Sequence, residues 1–220
     1  MSDEIEARNV FISFRFDDGN EYKDKLAELF DRKDDTVDFS EDVDRSGMAD
    51  ETIKKHIYAK LRRSSVTIIL LTPQAINYKR NIYGNIDDWL YDEVRYSLED
   101  REDNRTNGLV AVYTKEAESM LVYKGHHKCP SCDGYNTTTV LDQNNLFRKN
   151  MMNVKDEFKT NKCVGVYDSD YDSYCSLVPF DTFYANPSRY IKIAYKKHLN
   201  IDRYKLTKRI QWLCQTRLNI

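Results

Sequence analysis

The stretch Ser65-Val-Thr-Ile-Ile-Leu-Leu71 decides the fold class. Apolar residues follow one another without the polar alternation of a half-solvated strand, so both faces of this strand are expected to be buried. Strands of that kind belong to parallel sheets, whose crossover connections lay helices over each side. Thr72-Pro73 ends the run. Upstream, Asn9-Val-Phe-Ile-Ser-Phe14 has the same character, and Thr36-Val-Asp-Phe39 is a shorter, weaker strand. Downstream, Gly108-Leu-Val-Ala-Val-Tyr113 is a fourth. Helical patterns fill the intervals. One runs from Glu21 to about Lys33 behind an Asn20 cap, with Tyr22, Leu26, Leu29 and Phe30 on its buried side. A second holds Ile53, Ile57 and Leu61 in register. The third spans Asn85 to Glu99, where Ile86, Leu90, Val94 and Leu98 recur every four residues, and Asp87 or Asp88 can cap its start.

Strands and helices alternating at this spacing predict an α/β fold, a parallel sheet with helices on both faces and right-handed crossovers. In such an open sheet, ligands collect at the carboxyl ends of the strands, near the point where strand order reverses. Phe14 and Arg15 after the first strand, Asp44 in the polar loop Ser40–Met48, and the helix with Trp89 and Glu93 are all expected at that rim. Trp89 and Glu93 stand four apart, one above the other on the helix. A 100° wheel sets Glu93 at the margin of the apolar stripe, where a carboxylate can be half buried beside an indole. On spacing alone the favoured reading is a solvated helix glutamate beside a core tryptophan, since most ionisable helix residues are simply exposed.

With 220 residues, 32% of them charged and 40% hydrophobic, the chain has enough apolar material for one large domain with an elaborated end. A formal net charge of −2 argues against a dedicated nucleic-acid binder. No apolar run is long enough to span a membrane. The opening Met-Ser-Asp-Glu-Ile-Glu lacks the basic and apolar regions of a signal peptide. Five cysteines, an odd number, are expected as reduced thiols in a cytoplasm.

Beyond Tyr113 the pattern weakens. Residues 114–165 read as an irregular insertion around His126-His-Lys-Cys-Pro-Ser-Cys132. Regular structure is expected again at Cys163–Tyr167 and Ser176–Phe180. Asn186-Pro187 then announces a helix through about His198, and Asp202 a last helix carrying Leu206, Ile210 and Leu213. The resulting division is a core at 8–113, the insertion at 114–165, a closing strand and helix at 166–200, and a C-terminal helical extension at 201–220.

Several chemistries can be excluded on spacing. Seven glycines offer neither a phosphate-binding loop nor a dinucleotide fingerprint. A phospho-acceptor domain wants an aspartate closing the third strand, and this one closes Leu71-Thr72-Pro73. The four histidines (His56, His126, His127 and His198) give no serine–histidine–acid arrangement. The single CxxC supplies two zinc ligands where a closed site needs four. His126 or His127 can add a third, and Cys163 or Cys175 a fourth. The favoured expectation is a surface loop with reduced thiols and no metal.

Val10-Phe-Ile-Ser-Phe-Arg15, the polar loop after a weak second strand, Thr67-Ile-Ile-Leu-Leu-Thr-Pro73 and Trp89-x-x-x-Glu93 together resemble a TIR-like domain, and more narrowly the TIR-like proteins of bacterial Thoeris antiphage systems. Tyr174–Phe183, Asn186-Pro187 and the helix around Tyr190-Ile191 resemble this family's closing section. The resemblance implies a flavodoxin-like, TIR-type sheet and an enzyme that cleaves the nicotinamide–ribose bond of NAD+. Its ADP-ribosyl product, commonly cyclic, would be a diffusible signal for a separate effector protein. Alternatives are plain hydrolysis or base exchange, and an interaction module that turns over nothing. Glu93 falls on the family's catalytic glutamate. Trp89 would wall the pocket, Phe14 would stack on nicotinamide, Arg15 would contact phosphate, and Asp44 and Arg45 would gate the site or meet another subunit. NAD+ is then substrate and no cofactor is implied. Self-association is expected because many TIR sites are completed between protomers; nucleic acid and membrane are not expected partners.

Overall fold

The computed structural model describes residues 8–31, 36–38, 50–83, 86–100, 106–129, 134–141, 145–161, 163 and 165–210. In chain order these form β1 (Arg8–Ser13), α1 (Phe16–Asp31), β2 (Thr36–Asp38), α2 (Asp50–Arg63), β3 (Val66–Leu71), α3 (Trp89–Leu98) and β4 (Gly108–Tyr113). There follow α4 (Glu118–Leu121), β5 (Val122–Lys128), β6 (Tyr135–Val140), α5 (Leu146–Lys149), β7 (Cys175–Pro179), α6 (Phe180–Ala185) and α7 (Pro187–Leu199). Five strands pair in the order β2-β1-β3-β4-β7, every pair parallel. This is the flavodoxin-like arrangement of a TIR-type fold, and its strand order reverses between β1 and β3. The helical C-terminal part is α6 and α7.

Alternation along the strands sorts the two faces. Val10 and Ile12, with Val66, Ile68 and Leu70, join Leu26 and Phe30 of α1 and Tyr190, Ile191 and Ala194 of α7 on one side. Ile69, Leu71, Leu109 and Ala111 meet Leu90, Val94 and Leu98 of α3 on the other. There α2 adds Ile57 and Leu61 against Phe11 and Tyr96. β3 and β4 are buried at all their positions, as an unbroken apolar run requires. Gly108 marks where α7 crosses β4 most closely. A Cβ there would fall 2.2 Å from the Ala194 carbonyl oxygen, so any side chain would push the helix off the sheet.

Five expectations need correction. α1 begins at Phe16 rather than after Asn20, whose side chain instead donates to the Phe16 carbonyl at 2.8 Å within the first turn. α3 begins at Trp89, with Ile86 outside it in an isolated bridge to Arg80. The 114–165 stretch is less irregular than its polarity suggests, since β5 and β6 pair antiparallel within it. Cys163–Tyr167 forms no strand in its described residues, and Asp202 opens only a 3-10 turn at Ile201–Arg203. After that turn, other segments take the backbone of the chain. Asn153 Nδ2 donates to the Lys205 carbonyl at 3.0 Å, and Asn150 both donates to the Thr207 carbonyl (2.8 Å) and accepts from its N–H (3.0 Å). Those partners replace the i→i−4 bonds a helix would have needed. The helical reading at Leu213 lies outside the described residues.

Candidate functional site

Period-two alternation places Ser13 on the α3 side of the sheet, at the carboxyl end of β1, paired in register with Ile69 of β3. Glu93 sits one turn into α3 and turns toward the same spot. It is 7% exposed, and the Ser13 hydroxyl donates to its carboxylate Oε2. The helix can bury this residue because it packs two ways at once. Leu90, Val94 and Leu98 face the sheet, while Tyr96 stacks on Tyr58 of α2 at 3.9 Å. Glu93 and Ser97 lie one turn apart among these packed residues, and both are buried. The Ser97 hydroxyl donates to the Glu93 carbonyl at 2.8 Å and shares a 2.8 Å hydrogen bond with Thr67 of β3, locking this turn to the sheet.

The start of α3 is fixed by a second buried carboxylate. Asp88 is the N-cap, accepting from the Leu90 N–H at 3.1 Å, and its other oxygen accepts from the Lys79 N–H at 2.6 Å. That oxygen also receives Arg15 Nη2 at 2.6 Å, in a pair whose side chains are 9% and 0% exposed. Arg15 therefore leaves β1 on the Ser13 side and ties the end of the strand to the start of the helix. Its Nε is buried with no hydrogen-bond partner among the described residues. Across the rim, Asp18 in the first turn of α1 accepts from the Thr72 hydroxyl (2.6 Å) and the Gln74 N–H (3.0 Å). It thereby closes the turn that follows β3.

The rim thus gathers Ser13, Arg15, Asp88 and Glu93 at the reversal point between β1 and β3. Phe14 points the other way. It packs with the α1 side of the core, its ring 5.1 Å from that of Phe16, so Ser13 rather than Phe14 is the β1 side chain that meets Glu93. Trp89 is 37% exposed at the edge, its indole 5.7 Å from the Lys54 ammonium of α2. Asp44 and Arg45 lie outside the described residues. Ser13 is the residue of this cluster that the sequence did not single out; Asp88 was expected as one of two caps for α3, and its pairing with Arg15 was not. The available signal for Ser13 was a small polar residue at the end of an otherwise apolar strand.

Residues 11–119 match the family described as Thoeris protein ThsB, TIR-like domain. The chain carries a ThsB-type TIR-like domain. No curated protein matches the chain. The matched residues contain the carboxyl end of β1 and all of α3 and β4, and with them every member of the Ser13–Arg15–Asp88–Glu93 cluster. Among the described residues no helix is long and apolar enough to cross a membrane.

Proposed function

We propose that this ThsB-type protein cleaves the nicotinamide–ribose bond of NAD+ and releases an ADP-ribose-derived, cyclic signal that activates a separate effector in antiphage defence. The observation that carries the reading is a glutamate 7% exposed, held by a strand-end serine at the carboxyl edge of a parallel sheet. Breaking the glycosidic bond leaves oxocarbenium-like positive charge on the ribose, as in glycoside cleavage. A carboxylate fixed in advance and shielded from bulk water stabilises that charge with no reorganisation at the moment of reaction. Nicotinamide is already a good leaving group, so one carboxylate suffices.

Each supporting residue has a distinct task in this scheme. Ser13 donates to one carboxylate oxygen and sets the orientation of Glu93; a carboxylate has about four lone-pair sites and can also accept from ribose hydroxyls. Asp88 fixes the α3 start, one turn from the acid. Arg15, cationic and carrying a buried Nε–H with no hydrogen-bond partner among the described residues, would meet a pyrophosphate oxygen in this scheme. Trp89 shields the outer side. Exclusion of water favours attack by a group of the substrate itself, which gives a cyclic product over hydrolysis.

The test is incubation of purified protein with NAD+, with and without extract of phage-infected cells, followed by mass spectrometry. Nicotinamide release with a product one water lighter than ADP-ribose is expected. ADP-ribose itself would replace the cyclase reading by a hydrolase. A nicotinamide analogue exchanged into NAD+ would mark base exchange. No turnover under either condition would leave a TIR-like interaction module and overturn the proposal.

A further inference from the structure

Two thiols that take no part in the Glu93 site touch one another across a long stretch of chain. Cys129 follows β5, and its N–H donates to the Gly134 carbonyl at 2.6 Å, pinning the open end of the hairpin. Cys163 comes back against it, and the two sulfurs share a hydrogen bond at 3.1 Å. Cys129 is 4% exposed, so the expected surface loop is instead a packed one at this residue. Cys163 is only half-buried.

The chain around Cys163 is shaped to hold this contact. The Cys163 N–H donates to Asn161 Oδ1 at 2.8 Å, and its carbonyl accepts from the Val166 N–H at 3.3 Å and from the Lys159 ammonium. Lys159 is itself buried, its ammonium 4.0 Å from the centre of the Tyr167 ring. A buried cation fixed on the Cys163 backbone favours the thiolate at that residue. Gly165 closes the other side, where a built Cβ would stand 3.6 Å from the Cys129 sulfur. The two thiols therefore differ in kind: one is accessible and lies beside a cation, the other is sheltered and in contact with the first. An attacked thiol and its resolving partner need that asymmetry.

We propose that Cys129 and Cys163 are a reversible redox pair, which a peroxide closes into a disulfide that ties the β5–β6 hairpin to the chain around Cys163. The Cys163 thiolate attacks one peroxide oxygen and becomes a sulfenic acid, while the other oxygen leaves and takes up a proton as water. The Cys129 sulfur then attacks the sulfenic sulfur. The S–S bond forms, and the hydroxyl leaves with the Cys129 proton as a second water. The two thiols give up two electrons, and the peroxide takes them. From 3.1 Å, the sulfurs approach by about 1 Å to reach bonding distance. Small thiols reopen the bond by exchange, so the pair stays reduced until an oxidant arrives. The tie acts where it is needed, because a two-stranded hairpin alone is marginally stable in water.

The test uses the full chain, reduced and then exposed to stoichiometric hydrogen peroxide. The intact mass should fall by two hydrogens, and peptide mapping should join Cys129 to Cys163. The thermal melt should rise by about 5–10 °C, and dithiothreitol should reverse both changes. Cys163→Ser should abolish the mass loss, and Cys129→Ser should leave a sulfenic acid at Cys163 that dimedone traps. Because loss of either thiol can unfold this part of the chain, timed alkylation of the native wild type is run alongside. It should modify Cys163 at least about 10-fold faster than Cys129. Three results would overturn the proposal: Cys163 oxidised beyond the sulfenic acid while Cys129 still alkylates, a disulfide that joins other cysteines, or both thiols protected by a metal ion that a chelator removes.

Discussion

Glu93 and Lys197 are both buried ionisable groups, 7% and 4% exposed, but they sit at opposite edges of the same sheet. Lys197 lies in the last turn of α7, at the amino edge, where a cation suits the helix dipole. Its ammonium donates to Ser176 Oγ at 2.6 Å and to the Ser169 carbonyl at 3.4 Å, near Asp168, Asp170 and Asp172. Burial outweighs those acids and pushes its pKa down to about 8. Around it the chain closes on itself: the Asp168 and Asp172 carboxylates accept backbone N–H groups, and Asp170 pairs with Arg189. Glu93, by contrast, stands at the carboxyl edge, where Ser13 donates to it and Arg15 keeps a buried N–H without a partner among the described residues. Burial alone therefore does not mark a reactive group. Position at the strand-order reversal, next to polar capacity the protein leaves open, separates the site from structural wiring.

Four substitutions sharpen that contrast, ordered by expected effect on stability. Asp88→Ala removes the α3 cap and strands the Arg15 guanidinium, so urea unfolding should show a loss of about 3–5 kcal/mol. Lys197→Met probes the other edge through pH. Lys197 binds its proton less tightly in the folded chain than in the unfolded one, where its pKa is near 10.5. Between pH 8 and 10.5 the unfolded chain therefore holds more protons, and wild-type stability should rise relative to Lys197→Met by about 3 kcal/mol across that window. Chemical denaturation at several pH values checks the sign, and a fall would contradict it. Tyr174→Phe deletes the 2.8 Å hydrogen bond to the Asn107 carbonyl at the amino edge. It should cost about 1–2 kcal/mol in a thermal melt and leave activity unchanged. Ser13→Ala removes a donor from a buried carboxylate, so it should cost about 1–2 kcal/mol and lower nicotinamide release about 10-fold to 100-fold, because the acid loses its fixed orientation.

The strands could be read from the sequence because burial on both faces leaves an unbroken apolar signature, as in Val66–Leu71. The start of α1 could not. Its first turn carries Asp17 and Asp18, which look like loop residues until Asp18 is seen gripping Thr72 and Gln74 from another segment. Leu206 and Ile210 have helical spacing, but Asn150 and Asn153, more than fifty residues earlier, claim the intervening backbone. Glu93 was picked out by the family resemblance, in which it falls four residues after the helix tryptophan, since spacing alone favours a solvated glutamate. Its partner was not, since a serine ending a strand acquires meaning only when the parallel register sets it beneath α3. Phe14 was the more conspicuous residue, and strand alternation sends it to the other face.

The most direct test compares wild type with Glu93→Gln for nicotinamide release from NAD+ under activating conditions, with thermal melts run on both. The substitution keeps the side-chain volume and a hydrogen-bond acceptor for Ser13 while removing the negative charge. The expected result is a loss of at least about 100-fold in release with the fold intact. Equal release by the two proteins, with equal melts, would contradict the account.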